Sequence, residues 1–195
     1  MKLRQAVNFA LDRSALLAQR GAYAGQPTDQ YLPPGVPGAK DVKIYPLTGP
    51  DLAKAKQLAG PGQHGTAVMY TCNESPCPET AQVVQANLKA IGIDVQVRQF
   101  ARAVQFSKEG TKGEPFDIAF EGWIADYPDP YDFLNVLLDG RTIRPANNVN
   151  YSYIDDPALN RKLEAASLTT GNDRVASYSK LDAEVPRDVA PLAAW

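Results

Sequence analysis

Apolar and polar positions along this chain follow two rhythms, one typical of helices and one typical of strands. In residues 3–17 apolar positions recur every three or four residues with a break at Asp12, which predicts one bent helix or two short ones. Asp51 precedes LAKAKQLA, residues 52–59, and predicts a capped short helix. Residues 21–50 contain six prolines and several glycines, so we expect a long loop without regular helix or central strand.

From residue 66 onward, strand and helix patterns alternate. The apolar run TAVMYT, residues 66–71, predicts a strand, and residues 79–91 carry an apolar helical stripe that ends at a glycine. IDVQVRQF, residues 93–100, alternates between apolar and polar positions, and FDIAFEGW, residues 116–123, does the same after a further short helix. This order predicts an α/β fold, with a mostly parallel sheet joined by crossover helices.

The last third of the chain has mainly helical patterns. After residue 140 a polar loop leads to two predicted helices, the first opened by Asp155 or Asp156 and the second by Asn172 or Asp173. The final segment APLAAW, residues 190–195, could add an edge strand or be the remnant of one. No internal repeat interrupts the pattern, so we treat residues 1–195 as one domain.

Composition and charge restrict the classes of function. The chain has 195 residues, 44% of them hydrophobic and 22% charged, which is typical of one globular domain with a real core. A formal net charge of −2 provides no broad positive field, so we expect no nucleic-acid partner. No run approaches the roughly 20 apolar residues of a membrane span, and no signal segment precedes Leu3.

The two cysteines, Cys72 and Cys77, enclose four residues. With His64 as the single histidine, they are too few for a four-coordinate structural zinc site, and their spacing differs from that of thioredoxin-type motifs. We therefore expect no metal and no cofactor. The cysteines are either ordinary thiols or a local disulfide, worth about 2 kcal/mol for so short a ring. We favour the disulfide, which would indicate an oxidising, extracytoplasmic environment.

The stretch GWIADYPDPYDF, residues 122–133, carries three acids among two prolines and four aromatic residues. It follows the third predicted strand, and ligands of parallel sheets gather beyond the carboxyl ends of the strands. Asp129 lies between two prolines and Asp132 precedes an apolar helical phrase, so we expect turn or helix-capping roles for both. The spacing lacks the pattern of an EF-hand calcium loop. An acidic site of a small hydrolase within residues 123–132 stays open as an alternative.

Five phrases, in order, resemble one family. The chain is similar to the second lobe of family 5 extracellular solute-binding proteins, the peptide, nickel and opine class that serves ABC importers. This resemblance implies the C-terminal lobe of a two-lobed, periplasmic-binding-protein-like fold of type II. Family members are usually more than twice as long, with a signal or lipoprotein leader and a large first lobe. We therefore expect an isolated second lobe, without the first lobe and the signal segment. The phrases are LRQAVNFALDRSALL, DLAKAKQLAG, QVVQANLKAIGIDVQV, FDIAFEGWIADYPDPYDFLNVLL and NNVNYSYIDDPALNRKLEAA.

The resemblance also implies a role for the acidic stretch. In the peptide-binding branch of the family, an aspartate just after the strand's tryptophan pairs with the free amino group of the substrate. The matching residues are Trp123 and Asp126, so we expect Asp126 to bind the ligand, with Trp123 and Tyr127 as flat walls beside it.

The implied function is non-catalytic capture of a ligand in a cleft between two lobes. The partners would be a peptide or oligopeptide, the missing first lobe and an ABC permease in the membrane, and the parent protein would be extracytoplasmic. The ligand could also be a sugar, a metal chelate or an opine. Besides the small hydrolase, a stand-alone interaction module is a second alternative, with the surface that a first lobe would cover as its binding face.

Overall fold

The structure, a computed structural model, describes residues 1–120 and 122–195, and within them it contains eight α-helices and three β-strands. The helices are α1 (Lys2–Ala10), α2 (Arg13–Ala18), α3 (Leu52–Ala59), α4 (Cys77–Lys89), α5 (Arg102–Glu109), α6 (Tyr131–Leu138), α7 (Pro157–Ser167) and α8 (Gly171–Asp188). The strands are β1 (Thr66–Cys72), β2 (Asp94–Phe100) and β3 (Ile118–Ala119). In this part of the chain, no helix combines the length and the apolar character of a membrane span.

The sheet is parallel, in the order β2-β1-β3, so β1 is the central strand. Helices α4 and α5 make the two crossovers, and the predicted α/β fold is confirmed. The third strand is shorter than residues 116–123 suggest. Gln105 of α5 occupies the next carbonyl, since its side chain donates to the Phe120 carbonyl at 2.7 Å. The Phe120 amide still donates to the Tyr70 carbonyl of β1 at 3.2 Å, and also to the Glu109 carboxylate at 3.3 Å.

Two apolar clusters form the core. The first lies between the sheet and helices α1, α3 and α4, and includes Met69, Leu88 and Val95. The second joins α6, α7 and α8 to the long loop and includes Leu134 and Leu163. The alternation in residues 93–100 is confirmed, because Val95 is buried while the neighbouring polar residues face solvent.

Residues 21–50 form the long loop that their prolines predict, without helix or strand. The loop is nevertheless fixed to α8. The Asp182 carboxylate accepts hydrogen bonds from the backbone amides of Tyr31 at 2.8 Å and Leu32 at 3.1 Å. The Tyr45 hydroxyl donates to the Pro186 carbonyl at 2.7 Å. Side-chain hydrogen bonds therefore replace the secondary structure that prolines exclude.

Arg13 joins three distant parts of the chain. Its side chain is fully buried, and its Nε donates to the carbonyls of Thr28 and Ala194 at 3.2 and 2.8 Å. One terminal nitrogen donates to the carbonyls of Asn8 and Pro46, and the other to Asn8 Oδ1. Burial lowers the pKa of the guanidinium to about 10, so it remains charged at neutral pH. The start of α2, the long loop and the end of the chain meet on this cation.

The end of the chain does not form the edge strand suggested for residues 190–195. The side chains of Tyr31 and Arg13 donate to the carbonyls of Leu192 and Ala194, at 3.0 and 2.8 Å. Trp195 stacks on Phe120, with the ring centroids 6.1 Å apart. These carbonyls are occupied by side-chain donors, so the segment packs beside the sheet without joining it.

Asp182 gives the fold a dependence on pH. Burial raises the pKa of its carboxyl from 3.8 to about 6. The folded state thus binds the proton more tightly than the unfolded chain between about pH 4 and 6, and stability falls as pH rises through this window. We expect Asp182→Asn, which keeps an oxygen for the amides of Tyr31 and Leu32, to be more stable than the parent chain at pH 7.5, by up to about 3 kcal/mol.

Urea unfolding between pH 4.5 and 7.5 measures this difference, which should shrink toward the acidic end. Asp188→Asn is the matched control on the same helix. The Arg187 side chain lowers the pKa of the Asp188 carboxyl, the opposite direction to the shift at Asp182, so Asp188→Asn should not gain stability as the pH rises. A difference between Asp182→Asn and the parent chain that stays constant from pH 4.5 to 7.5 would contradict the assignment.

Candidate functional site

The acidic loop lies at the carboxyl edge of the sheet, where the topology predicts it. Residues 122–130 leave β3 at its carboxyl end and lead into α6. The same edge holds Cys72 at the end of β1 and Arg102 just beyond β2. The three carboxylates of the loop have different environments there.

The Asp132 side chain attaches the acidic loop to α6. It lies in the first turn of α6 with 1% of its surface exposed, and its Oδ2 accepts from the Asp126 backbone amide at 2.9 Å and from the Trp123 indole nitrogen at 3.3 Å. Of the turn and helix-capping roles expected for Asp132, the capping role is wrong, since Pro130 occupies the N-cap position, whereas the hydrogen bond to the Asp126 amide gives the side chain a structural role in the loop. Both donors belong to residues proposed for the site, so one buried carboxylate connects them.

Asp129 forms the turn that its prolines predict and an ion pair besides. Its Oδ1 accepts from the Tyr131 amide at 2.8 Å. Arg174 of α8 binds the same carboxylate through two nitrogens, Nη2 to Oδ1 at 2.7 Å and Nε to Oδ2 at 2.9 Å. These hydrogen bonds hold the pKa of Asp129 below its usual value. Arg174 also donates to carbonyls at the end of α7, including Ser167 at 3.0 Å, so it fastens the loop to two helices.

Asp126 differs from the other two acids. It is exposed, and its carboxylate has no hydrogen bond or ion pair within residues 1–120 and 122–195. Beside it, Ile124 is 87% exposed and Tyr127 43%, whereas Trp123 is half-buried and packs against the cluster of α6, α7 and α8. Partial burial and the surrounding carboxylates raise the pKa of the Tyr127 phenol, so it is neutral at neutral pH. The loop thus presents one free carboxylate among apolar side chains.

The structure joins Cys72 and Cys77 in a disulfide, with the Sγ atoms 2.03 Å apart. Both cysteines are buried. The Arg102 guanidinium lies 3.2 Å from Cys72 Sγ and pairs with Glu74 of the enclosed loop at 3.6 Å. The disulfide and this ion pair therefore lie next to each other, at the same edge of the sheet as the acidic loop.

These contacts limit the chemistry available at the loop. A hydrolytic pair needs a second free carboxylate, but Asp129 is bound by Arg174 and Asp132 by two N–H groups. In the described ranges, 1–120 and 122–195, no group of three or more His, Cys, Asp or Glu side chains could hold a metal ion. A single exposed carboxylate beside apolar surface suits a charge-assisted hydrogen bond with a ligand ammonium group.

Two contributors to this site, Ile124 and Arg174, and the contacts of a third, Asp132, are not predicted by the sequence. Ile124 is the most exposed large apolar residue of the acidic loop, and nothing in the local sequence pattern distinguishes it from a core position. Arg174 lies 45 residues from Asp129, and Asp132 makes its contacts to residues six and nine positions earlier. No local spacing signal in the sequence identifies these contacts.

Comparisons with known proteins point in one direction. Residues 1–144 match the profile of the bacterial extracellular solute-binding proteins, family 5, middle region. The periplasmic oligopeptide-binding protein OppA of Escherichia coli K12 is 25% identical over 208 aligned positions, which cover 97% of this chain and 35% of OppA.

Two solved structures share the fold over nearly the whole chain. The clavulanic acid biosynthesis oligopeptide binding protein 2 superposes with a TM-score of 0.85 and 28% identity, over 99% of this chain and 37% of that one. The periplasmic binding protein DppA from Helicobacter pylori, solved with the peptide STSA, gives 0.80 and 28%, over 97% and 37%. The chain thus spans about a third of the length of the relatives that it matches.

Proposed function

The chain belongs to family 5 of the bacterial extracellular solute-binding proteins, and from this premise we propose that it is the second lobe of a peptide-binding protein for ABC import. Its relatives are binding proteins, and an extracytoplasmic location follows from the family. The proposal has three specific components: a peptide as the ligand, a binding cleft between two lobes, and delivery of the ligand to a membrane permease.

The free carboxylate of Asp126 is the observation that carries the proposal. It stands at the carboxyl edge of the sheet on a loop held by Asp132 and Arg174, and its own oxygens are unoccupied in the described part of the chain. A peptide's free amino group would donate to it, while Trp123 and Tyr127 would contact the first side chains of the peptide.

The length of the relatives supports a second contribution to the site. Because the chain spans about a third of those relatives, we propose that the rest of the parent protein forms a first lobe opposite the acidic loop. A ligand that contacts both lobes stabilises the closed arrangement in proportion to those contacts. The exposed Ile124 would then be covered on closure, together with Asp126.

This arrangement predicts a large difference between the chain alone and the complete protein. We expect the 195-residue chain to fold, as judged by circular dichroism, and to bind trialanine with a Kd weaker than about 1 mM, since it offers only part of the contacts. The full-length protein should bind trialanine or a longer peptide at about 1 μM or tighter. Isothermal titration of both proteins with the same peptides measures the difference.

Micromolar affinity of the chain alone for a peptide would count against a cleft between two lobes and would favour a stand-alone module. Sugars, metal chelates and opines tested beside the peptides provide the specificity control. Tight binding of one of them by the full-length protein, with none for any peptide, would leave the solute-binding role and replace the peptide.

A further inference from the structure

We propose that Asp132 is the positioning residue of the ligand-binding loop: its buried carboxylate sets the place of the Asp126 carboxylate and of the Trp123 ring. This inference rests on the proposed function, because it assigns Asp132 a role through Asp126. The role does not require Asp132 to touch the ligand, since the side chain is 1% exposed.

Convergence of two donors on one oxygen is the geometric basis. Asp132 Oδ2 accepts from the Asp126 backbone amide at 2.9 Å and from the Trp123 indole nitrogen at 3.3 Å. Both are charge-assisted hydrogen bonds to a buried acceptor, the class with the larger net contributions. The amide of Asp126 is fixed in this way while its side chain projects into solvent.

The rest of the loop offers little other support near Asp126. Trp123 packs against the cluster of α6, α7 and α8, but Ile124 and Ala125 are exposed, so packing does not determine the backbone between Trp123 and Asp126. The second attachment, Asp129 to Arg174, lies beyond Asp126 on the side of α6. The loop is therefore attached at two places, through Asp132 and through Asp129. The attachment through Asp132 is a hydrogen bond to the backbone amide of Asp126 itself. Loss of that anchor should misplace the carboxylate without removing it.

Three variants of the full-length protein separate positioning from general stability. Asp132→Ala removes the acceptor, while Asp132→Asn keeps an oxygen that can accept from both donors but lacks the charge. Asp173→Ala is the matched control, because it removes another carboxylate from the first turn of a helix, in α8. The probes are trialanine and N-acetyl-trialanine, in which the free amino group is blocked. Isothermal titration calorimetry measures the affinity for each.

We expect Asp132→Ala to lower the affinity for trialanine roughly tenfold or more, and Asp132→Asn by roughly two- to fivefold. Asp173→Ala should leave it unchanged. The preference for trialanine over its N-acetyl form should fall with Asp132→Ala, since that preference depends on the Asp126 carboxylate. In an Asp126→Asn background, Asp132→Ala should cost less than about twofold, because the two residues act as one unit.

Each failure has a distinct meaning. If Asp126→Asn alone retains the affinity, the amine site of the proposed function fails. If Asp126→Asn loses affinity but Asp132→Ala and Asp132→Asn bind as tightly as the parent protein, the positioning role is overturned. An equal loss from Asp132→Ala with and without the Asp126 carboxylate also overturns it, because Asp132 would then support the lobe in general. If Asp132→Ala does not fold, unchanged affinity of Asp132→Asn decides against the role.

Discussion

Replacement of Asp126 by alanine in the full-length protein should weaken binding of an amine-bearing peptide by about 2–5 kcal/mol, which is roughly thirtyfold to a few thousandfold. The size of the effect follows from closure: the carboxylate is exposed in this chain, but a bound ligand and the proposed first lobe would remove it from water together with the ammonium group. Isothermal titration with trialanine measures the loss.

Stability provides the internal control for this variant. The Asp126 side chain makes no hydrogen bond or ion pair with residues 1–120 and 122–195, so its loss should change the free energy of unfolding by less than about 0.5 kcal/mol. Unchanged peptide affinity in Asp126→Ala would remove this residue from the site. Turnover of an ester or glycoside that Asp126→Asn abolishes would instead favour the hydrolase alternative.

Arg13→Met should destabilise the lobe by about 3–5 kcal/mol, a large share of the stability of an ordinary domain. Methionine keeps much of the volume, but it leaves the partly buried carbonyls of Thr28, Pro46 and Ala194 without this donor. The stability of Arg13→Lys should lie between that of the parent chain and that of Arg13→Met, because an ammonium group has three donors but cannot reproduce the planar guanidinium fork. Urea unfolding followed by circular dichroism gives the values.

Arg4→Met is the matched control for Arg13. It makes the same exchange on α1 at an exposed position, so we expect a change within about 0.5 kcal/mol. If Arg13→Met unfolds within 1 kcal/mol of the parent chain, about the value of one ordinary hydrogen bond, the five contacts of this guanidinium do not hold the three segments together.

Local signals were sufficient for most of the fold. Asp12, Asp51 and Asp156 each accept from backbone amides at the start of a helix, as their positions before apolar periods suggest. The α/β order followed from the change of period near residue 66. Two elements differ from the prediction, and a non-local contact explains the first of them. The third strand is limited by Gln105 of α5, and α8 begins at Gly171, before the polar residues proposed to open it.

The candidate site was less accessible from the sequence. The topology placed the acidic loop at the correct edge, and the family resemblance selected Asp126 among its acids. Which acids are occupied depends on partners distant in the chain: Arg174 reaches Asp129 from α8, and Asp132 turns back toward Trp123. A spacing pattern shows which residue types are near one another, but it does not show which oxygen is already bound.

The division between the acids has an evolutionary consequence. The Asp126 side chain has no hydrogen bond or ion pair in residues 1–120 and 122–195, so under the proposed function a substitution there would alter ligand preference without a folding defect. Asp129 is bound by Arg174, and Asp132 by two N–H groups. Substitutions at these positions would disrupt the loop, so selection would remove them whatever the ligand. If Asp126 binds the ligand as proposed, a lineage would change its solute at one exposed position while the surrounding loop structure is retained.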